Sequence, residues 1–89
     1  MKNYYSTIND VVLTFSYVQT NENGFETIVA RFERANQTGF DFTEWKLPCL
    51  CNVRSYGFSE DDIMEQERYL RNNAPLIWDL AREETIVYA

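Results

Sequence analysis

Phe58-Ser59-Glu60-Asp61-Asp62-Ile63 is the stretch from which the rest of this chain can be placed. Ser59 has the side-chain oxygen an N-cap needs. Asp62, three residues on, stands where a capping box puts its acceptor, as a shorter substitute for the usual Glu or Gln. Phe58 and Ile63 occupy the N′ and N4 positions of a hydrophobic staple. Glu60 and Asp61 add negative charge to the first turn, which the helix dipole favours. These cues agree on a helix that begins at about residue 60. The same stretch divides an aromatic, β-branched segment before it from an acidic one after it.

Downstream, a first helix is expected over about 60–72. Its apolar stripe is thin, Ile63 and Leu70 flanked by Met64 and Tyr69. Pro75 cannot sit inside a regular helix without clashing with the carbonyl four residues back. Asn73 has capping chemistry, so a second helix is expected over about 74–84 with Pro75 in its first turn. In that helix Leu76, Ile77, Leu80 and Ala81 form a broad apolar face that Trp78 widens. Thr85-Ile86-Val87-Tyr88 reads as an edge strand.

Upstream, Val11 to Gln19 alternates as a strand, with Val11, Leu13, Phe15 and Tyr17 on one face. Asn23-Gly24 is a strong hairpin signal because both residues tolerate positive φ. Phe25 to Arg34 is the return strand, with Ile28, Ala30 and Phe32 inward. After a turn at 36–39 comes a third strand, Phe40 to Leu47, whose alternation slips. Phe40 and Phe42 share one face, and Trp45 and Leu47 the other. A bulge near Thr43-Glu44 reconciles them, and so does a strand with both faces partly covered. Pro48 marks an edge or a boundary, and Cys49 to Val53 reads as a fourth short strand. The expected fold is α+β: a single domain over residues 1–89, with an antiparallel meander of three to four strands at about 10–54. Two C-terminal helices pack on one face of that sheet.

Composition narrows the function. The chain has 89 residues, of which 45% are hydrophobic, 16% aromatic and 25% charged, which places it among globular rather than disordered proteins. Its net charge is −6, and eight of its fourteen acids lie in 59–89 against Arg68, Arg71 and Arg82. That balance argues against direct nucleic-acid binding through phosphate neutralisation and against docking on anionic membranes. No signal-peptide h-region and no membrane-length apolar run are visible. A cytoplasmic location is expected, with Cys49 and Cys51 as reduced thiols.

Specific chemistry is sparse. There is no histidine, hence none of the commonest general base or metal ligand. Cys49-Leu50-Cys51 offers two soft ligands where structural zinc needs four; such a pair more often packs as small hydrophobes. No metal, no cofactor and no catalytic residue is therefore assigned, and an enzyme is not expected. Asp61 and Glu65 share an outward face one turn apart. Such a row imitates phosphate spacing in acidic inhibitors of the anti-restriction or anti-CRISPR type, which act on nucleases and other DNA-binding proteins. Against this, Glu65–Arg68 and Glu67–Arg71 are spaced as ordinary surface ion pairs that dilute such a field. Tryptophan is enriched at interface hot spots, and the arc Leu76, Ile77, Trp78 and Ala81 is wider than one sheet face requires. The expectation is a non-enzymatic protein-interaction or regulatory module acting through that arc. Its partner is a protein, with a second copy of the chain (a homodimer) as one candidate.

Overall fold

Asn9 and Asp10 carry positive φ angles of 51° and 66°, the two-residue turn geometry that short polar side chains tolerate. They join β1 (Asn3–Ile8) to β2 (Val11–Phe15) in an antiparallel hairpin. The computed structural model describes residues 3–88, and side chains through Glu83. Sequence alternation starts the sheet near residue 10 and misses β1, because Tyr4-Tyr5 breaks the period of two. A bulge between Tyr4 and Ser6 absorbs that break. Tyr4 then lies opposite Thr14 on one face, and Ser6 opposite Leu13 on the other.

The expected continuous strand to Gln19 is interrupted at Ser16. The Ser16 hydroxyl accepts the Val29 N–H at 2.9 Å and donates to the Tyr17 carbonyl at 2.9 Å. A side-chain oxygen thus stands in the ladder where a carbonyl would, and the chain bends. Pairing resumes in the short β3 (Gln19–Thr20), which lies against β4 (Glu26–Asn36). With β5 (Gly39–Leu47) and β6 (Cys51–Tyr56), the strand order is β1-β2-β4-β5-β6 with β3 beside β4, every pairing antiparallel. A meander was expected; among the described residues its strands number six, not three to four.

The slipped alternation of β5 resolves without a bulge on that strand, because its two apolar pairs point to opposite faces. β5 pairs with β4 without interruption from Gly39 to Leu47. The irregularity lies on β6, where Val53 is extra between Arg54 (opposite Glu44) and Asn52 (opposite Trp45). Trp45 and Leu47 therefore enter the core, while Phe40 and Phe42 lie on the opposite face. Between β5 and β6 the structure closes a disulfide from Cys49 to Cys51, whose Cα atoms are 5.3 Å apart. The expectation of two reduced thiols is thereby corrected. In the disulfide ring, Leu50 takes a φ of 58° and packs against the core.

The helix start is as read. The Ser59 N–H donates to Asp62 Oδ2 at 3.2 Å and the Asp62 N–H to Ser59 Oγ at 3.1 Å, a complete capping box. Phe58 and Ile63 both pack against the core. Gly57 precedes them at φ +87°, and a Cβ there would come within 2.0 Å of Asp41 Oδ1; glycine is required for both space and conformation.

The helix does not stop at Asn72. A single α1 (Glu60–Tyr88) runs through Pro75, correcting the expectation of two helices and of an edge strand over 85–88. Pro75 is exposed, so the Arg71 carbonyl it leaves without an N–H partner faces the solvent side, where water can satisfy it. On the other side, Leu70, Ile77 and Ala81 are all fully buried against the sheet. A break at Pro75 would expose one end of that row. Asn73 is not a cap. It donates from Nδ2 to the Tyr69 carbonyl at 2.8 Å and accepts the Tyr5 hydroxyl at 2.8 Å, tying the mid-helix to β1.

The core is one layer between α1 and the inner sheet face. Leu13, Phe15, Ile28, Ala30, Phe32, Trp45 and Leu47 meet Leu70, Ile77 and Ala81. Within it a polar chain crosses from sheet to helix: Trp45 Nε1–H donates to Thr43 Oγ1 at 3.1 Å, and Thr43 Oγ1–H to Gln66 Oε1 at 2.6 Å. No helix among the described residues is long and apolar enough to cross a membrane.

Candidate interaction surfaces

One helix covers only one face of the sheet, and the register dictates what the other face carries. Reading across strands, one row is Thr7, Val12, Glu33, Phe42 and Tyr56. The neighbouring row is Tyr4, Thr14, Arg31, Glu44 and Arg54, and Phe40 lies beside Ala35 at the far end. Phe40 is 57% exposed and Tyr56 64%. Between them Phe42 is half-buried, stacked on Tyr56 with ring centroids 6.3 Å apart.

The charges at the centre of this face are paired with one another, while Lys46 on β5 and Asp10 beside Phe40 form no ion pair among the described residues. Arg31 hydrogen-bonds Glu44, and its Nε lies 3.2 Å from Glu33 Oε1. Arg54 Nη2 donates to the same Glu44 Oε1 at 2.8 Å. Both guanidinium groups lie over the Phe42 ring, at 4.3 and 5.7 Å from its centroid. The hydrogen bond from Arg54, then the charges of both arginines, hold the Glu44 carboxyl below its ordinary range. The centre of the face is thus an aromatic patch beside a self-compensated ion network, and that network can be buried without stranding a charge of its own. Its two flanking edge strands, β1 and β6, each carry a bulge, a device that discourages edge-to-edge pairing.

The second surface is a groove on the covered side, between the β1–β2 hairpin and the first turns of α1. It encloses about 200 Å³ and is lined by Ile8, Val11, Leu13 and Phe32 below and by Asp62, Glu65, Gln66 and Tyr69 from the helix, with Ser6, Asn9, Arg34 and Phe58 at its ends. That volume suits one side chain; small-molecule sites usually measure about 300–1,000 Å³. Ser6 Oγ and Tyr69 Oη are hydrogen-bonded to each other at 2.9 Å. Arg34 closes one end, donating to Asp41 Oδ2 from Nε at 3.0 Å and Nη2 at 2.8 Å, with its guanidinium 4.6 Å from the Phe58 ring centre.

The Asp41 carboxyl is held below its usual range by the Arg34 and Asn36 hydrogen bonds. A depressed carboxyl adds stability above the unfolded-state value of about 4 and loses it as pH falls through the lower folded value. Acid unfolding followed by circular dichroism should therefore steepen below about pH 4, and Asp41→Asn should flatten that dependence.

The residues singled out by sequence are dispersed. Ile77 and Ala81 are core residues, so they cannot form an exposed patch on this chain, as that arc required. Leu76 is 58% exposed. Trp78 packs against the core, capped by the Arg82 guanidinium 5.0 Å from its ring, while Arg82 pairs with Glu26 at 3.0 Å. Glu65 lines the groove and Asp61 does not. Glu67 and Arg71 do pair, at 3.1 Å, so bases interrupt the acidic helix face. Phe40, Phe42 and Tyr56 were missed as a surface. The signal for them was present in the slipped alternation of β5.

Among the described residues no group of three or more His, Cys, Asp or Glu side chains could hold a metal ion. Comparison of the chain with protein-family models, with curated proteins and with solved structures returned no match.

Proposed function

We propose that this chain is a non-enzymatic protein-interaction module that binds through the uncovered sheet face, with a second copy of itself as the first partner to test. The observation that carries this reading is the pair of exposed rings, Phe40 and Tyr56, flanking Phe42 beside an ion network in which Arg31 and Arg54 are paired with Glu44. Sheets pack face to face through rows of this kind. Aromatic anchors beside arginines are the side chains that dominate binding energy at such interfaces.

The test is the double variant Phe40→Ser/Tyr56→Ser. Both side chains are exposed, so folding should be preserved within about 0.5 kcal/mol per site. Self-association measured by light scattering or sedimentation should weaken by about 2 kcal/mol or more, roughly 30-fold in Kd. A wild-type chain that stays monomeric at high concentration removes the homodimer. A double variant that still captures the wild-type chain's partners in a pull-down removes the face altogether.

A further inference from the structure

The buried chain from Trp45 to Gln66 has a direction, and its free end points into the groove. An indole nitrogen only donates. Trp45 Nε1–H takes one of the two lone pairs of Thr43 Oγ1, and the Thr43 hydroxyl donates onward to Gln66 Oε1. The orientation of the Gln66 amide follows: its Nε2 is the end turned away from Thr43. Gln66 is only 7% exposed and lines the groove, and its Nε2 makes no hydrogen bond among the described residues. The helix side of the groove thus holds an unused N–H donor above the apolar Leu13 and Phe32.

Its rim has the opposite demand. Glu65, the next residue on the helix, is exposed and forms no ion pair among the described residues. Asp62 beside it is negative as well, and the single cation present, Arg34, already belongs to Asp41. A ligand that fits must offer an acceptor to the helix side, an apolar stem to the floor and a positive charge to the rim, within about 200 Å³. A main-chain carbonyl followed by the stem and head of its own lysine or arginine side chain has that order of groups.

We infer that the groove is a binding site for one basic residue of a protein partner. Its carbonyl accepts from Gln66 Nε2, and its charged head lies at Glu65 and Asp62. The site is on the opposite side of the sheet from Phe40 and Tyr56 and stands or falls independently of that face.

The probe is N-acetyl-arginine N-methylamide, titrated to about 20 mM into the ¹⁵N-labelled chain, a range suited to a millimolar site. Saturable shifts are expected at the Gln66 side-chain amide and at Ser6 and Tyr69. The norleucine analogue, which keeps the stem and loses the charge, should bind roughly fivefold more weakly, as should arginine on Glu65→Gln. Phe40→Ser/Tyr56→Ser should leave the titration unchanged. Equal binding of the two analogues, an unchanged affinity in Glu65→Gln, or shifts that do not saturate at Gln66 would each overturn the assignment.

Discussion

Ile77→Ala is expected to lower the unfolding free energy by about 2–5 kcal/mol, the range for truncating a fully buried aliphatic side chain. Leu76→Ala, one residue earlier, should change it by less than about 0.5 kcal/mol. The contrast follows from helix geometry alone. Ile77 points at the sheet with Leu70 and Ala81 and has no exposure, whereas Leu76 is turned outward by a hundred degrees and is largely exposed. A domain of this length has a total stability on the order of 4–13 kcal/mol. Ile77→Ala should therefore unfold a measurable fraction of the chain. Urea denaturation followed by tryptophan fluorescence reads both variants. If Ile77→Ala leaves the midpoint in place and instead abolishes self-association, Ile77 belongs to an interface and the single-helix packing is wrong.

That contrast also marks where sequence was legible and where it was not. The Ser59–Asp62 capping box was readable because every atom it uses lies within four residues. The turn before β4 was readable for the same reason, although Asn21 organises it. Its Oδ1 accepts the Asn23 and Phe25 N–H groups at 2.9 and 3.0 Å, and of Asn23 and Gly24 only Gly24 takes a positive φ. Pro75 misled because its local rule, a ring clash with the carbonyl four residues back, is overridden by something non-local: the row Leu70, Ile77 and Ala81 gains its burial only if the helix stays whole. Leu76, Ile77, Trp78, Leu80 and Ala81 look like one wide face on a short helix. On a long helix anchored by Leu70 they divide into core and surface. β1 was lost to a bulge at Tyr4–Ser6, and a bulge removes the very period by which a strand is recognised. The open face was hidden by the same ambiguity. Phe40 and Phe42 sit out of phase with Trp45 and Leu47, and only pairing with β4 and β6 shows that each pair serves a different side of the sheet.

Thr43→Val is the second large effect, and it tests the polar chain that joins sheet to helix. Valine keeps the shape but removes Oγ1. The Trp45 N–H and the Gln66 carbonyl then both lose their partner inside an apolar layer. Each orphaned group costs about 1–3 kcal/mol, so a loss of about 2–6 kcal/mol is expected, against about 1 kcal/mol for Thr43→Ser, which sheds only a methyl. Adding Gln66→Met should recover part of the deficit, because an apolar partner no longer demands a hydrogen bond. The two substitutions should therefore be less than additive by about 0.5–3 kcal/mol. Strict additivity would mean that Thr43 and Gln66 do not act as a pair. The same variant reaches the groove without touching its rim. With Oγ1 gone, nothing sets which end of the Gln66 amide faces outward. Thr43→Val should thus weaken N-acetyl-arginine N-methylamide binding while Glu65 and Asp62 stay in place, and Thr43→Ser should not. Stability and recognition would then fail together at one buried hydroxyl, as they should if the hydrogen bonds that position the helix also orient the donor beneath it.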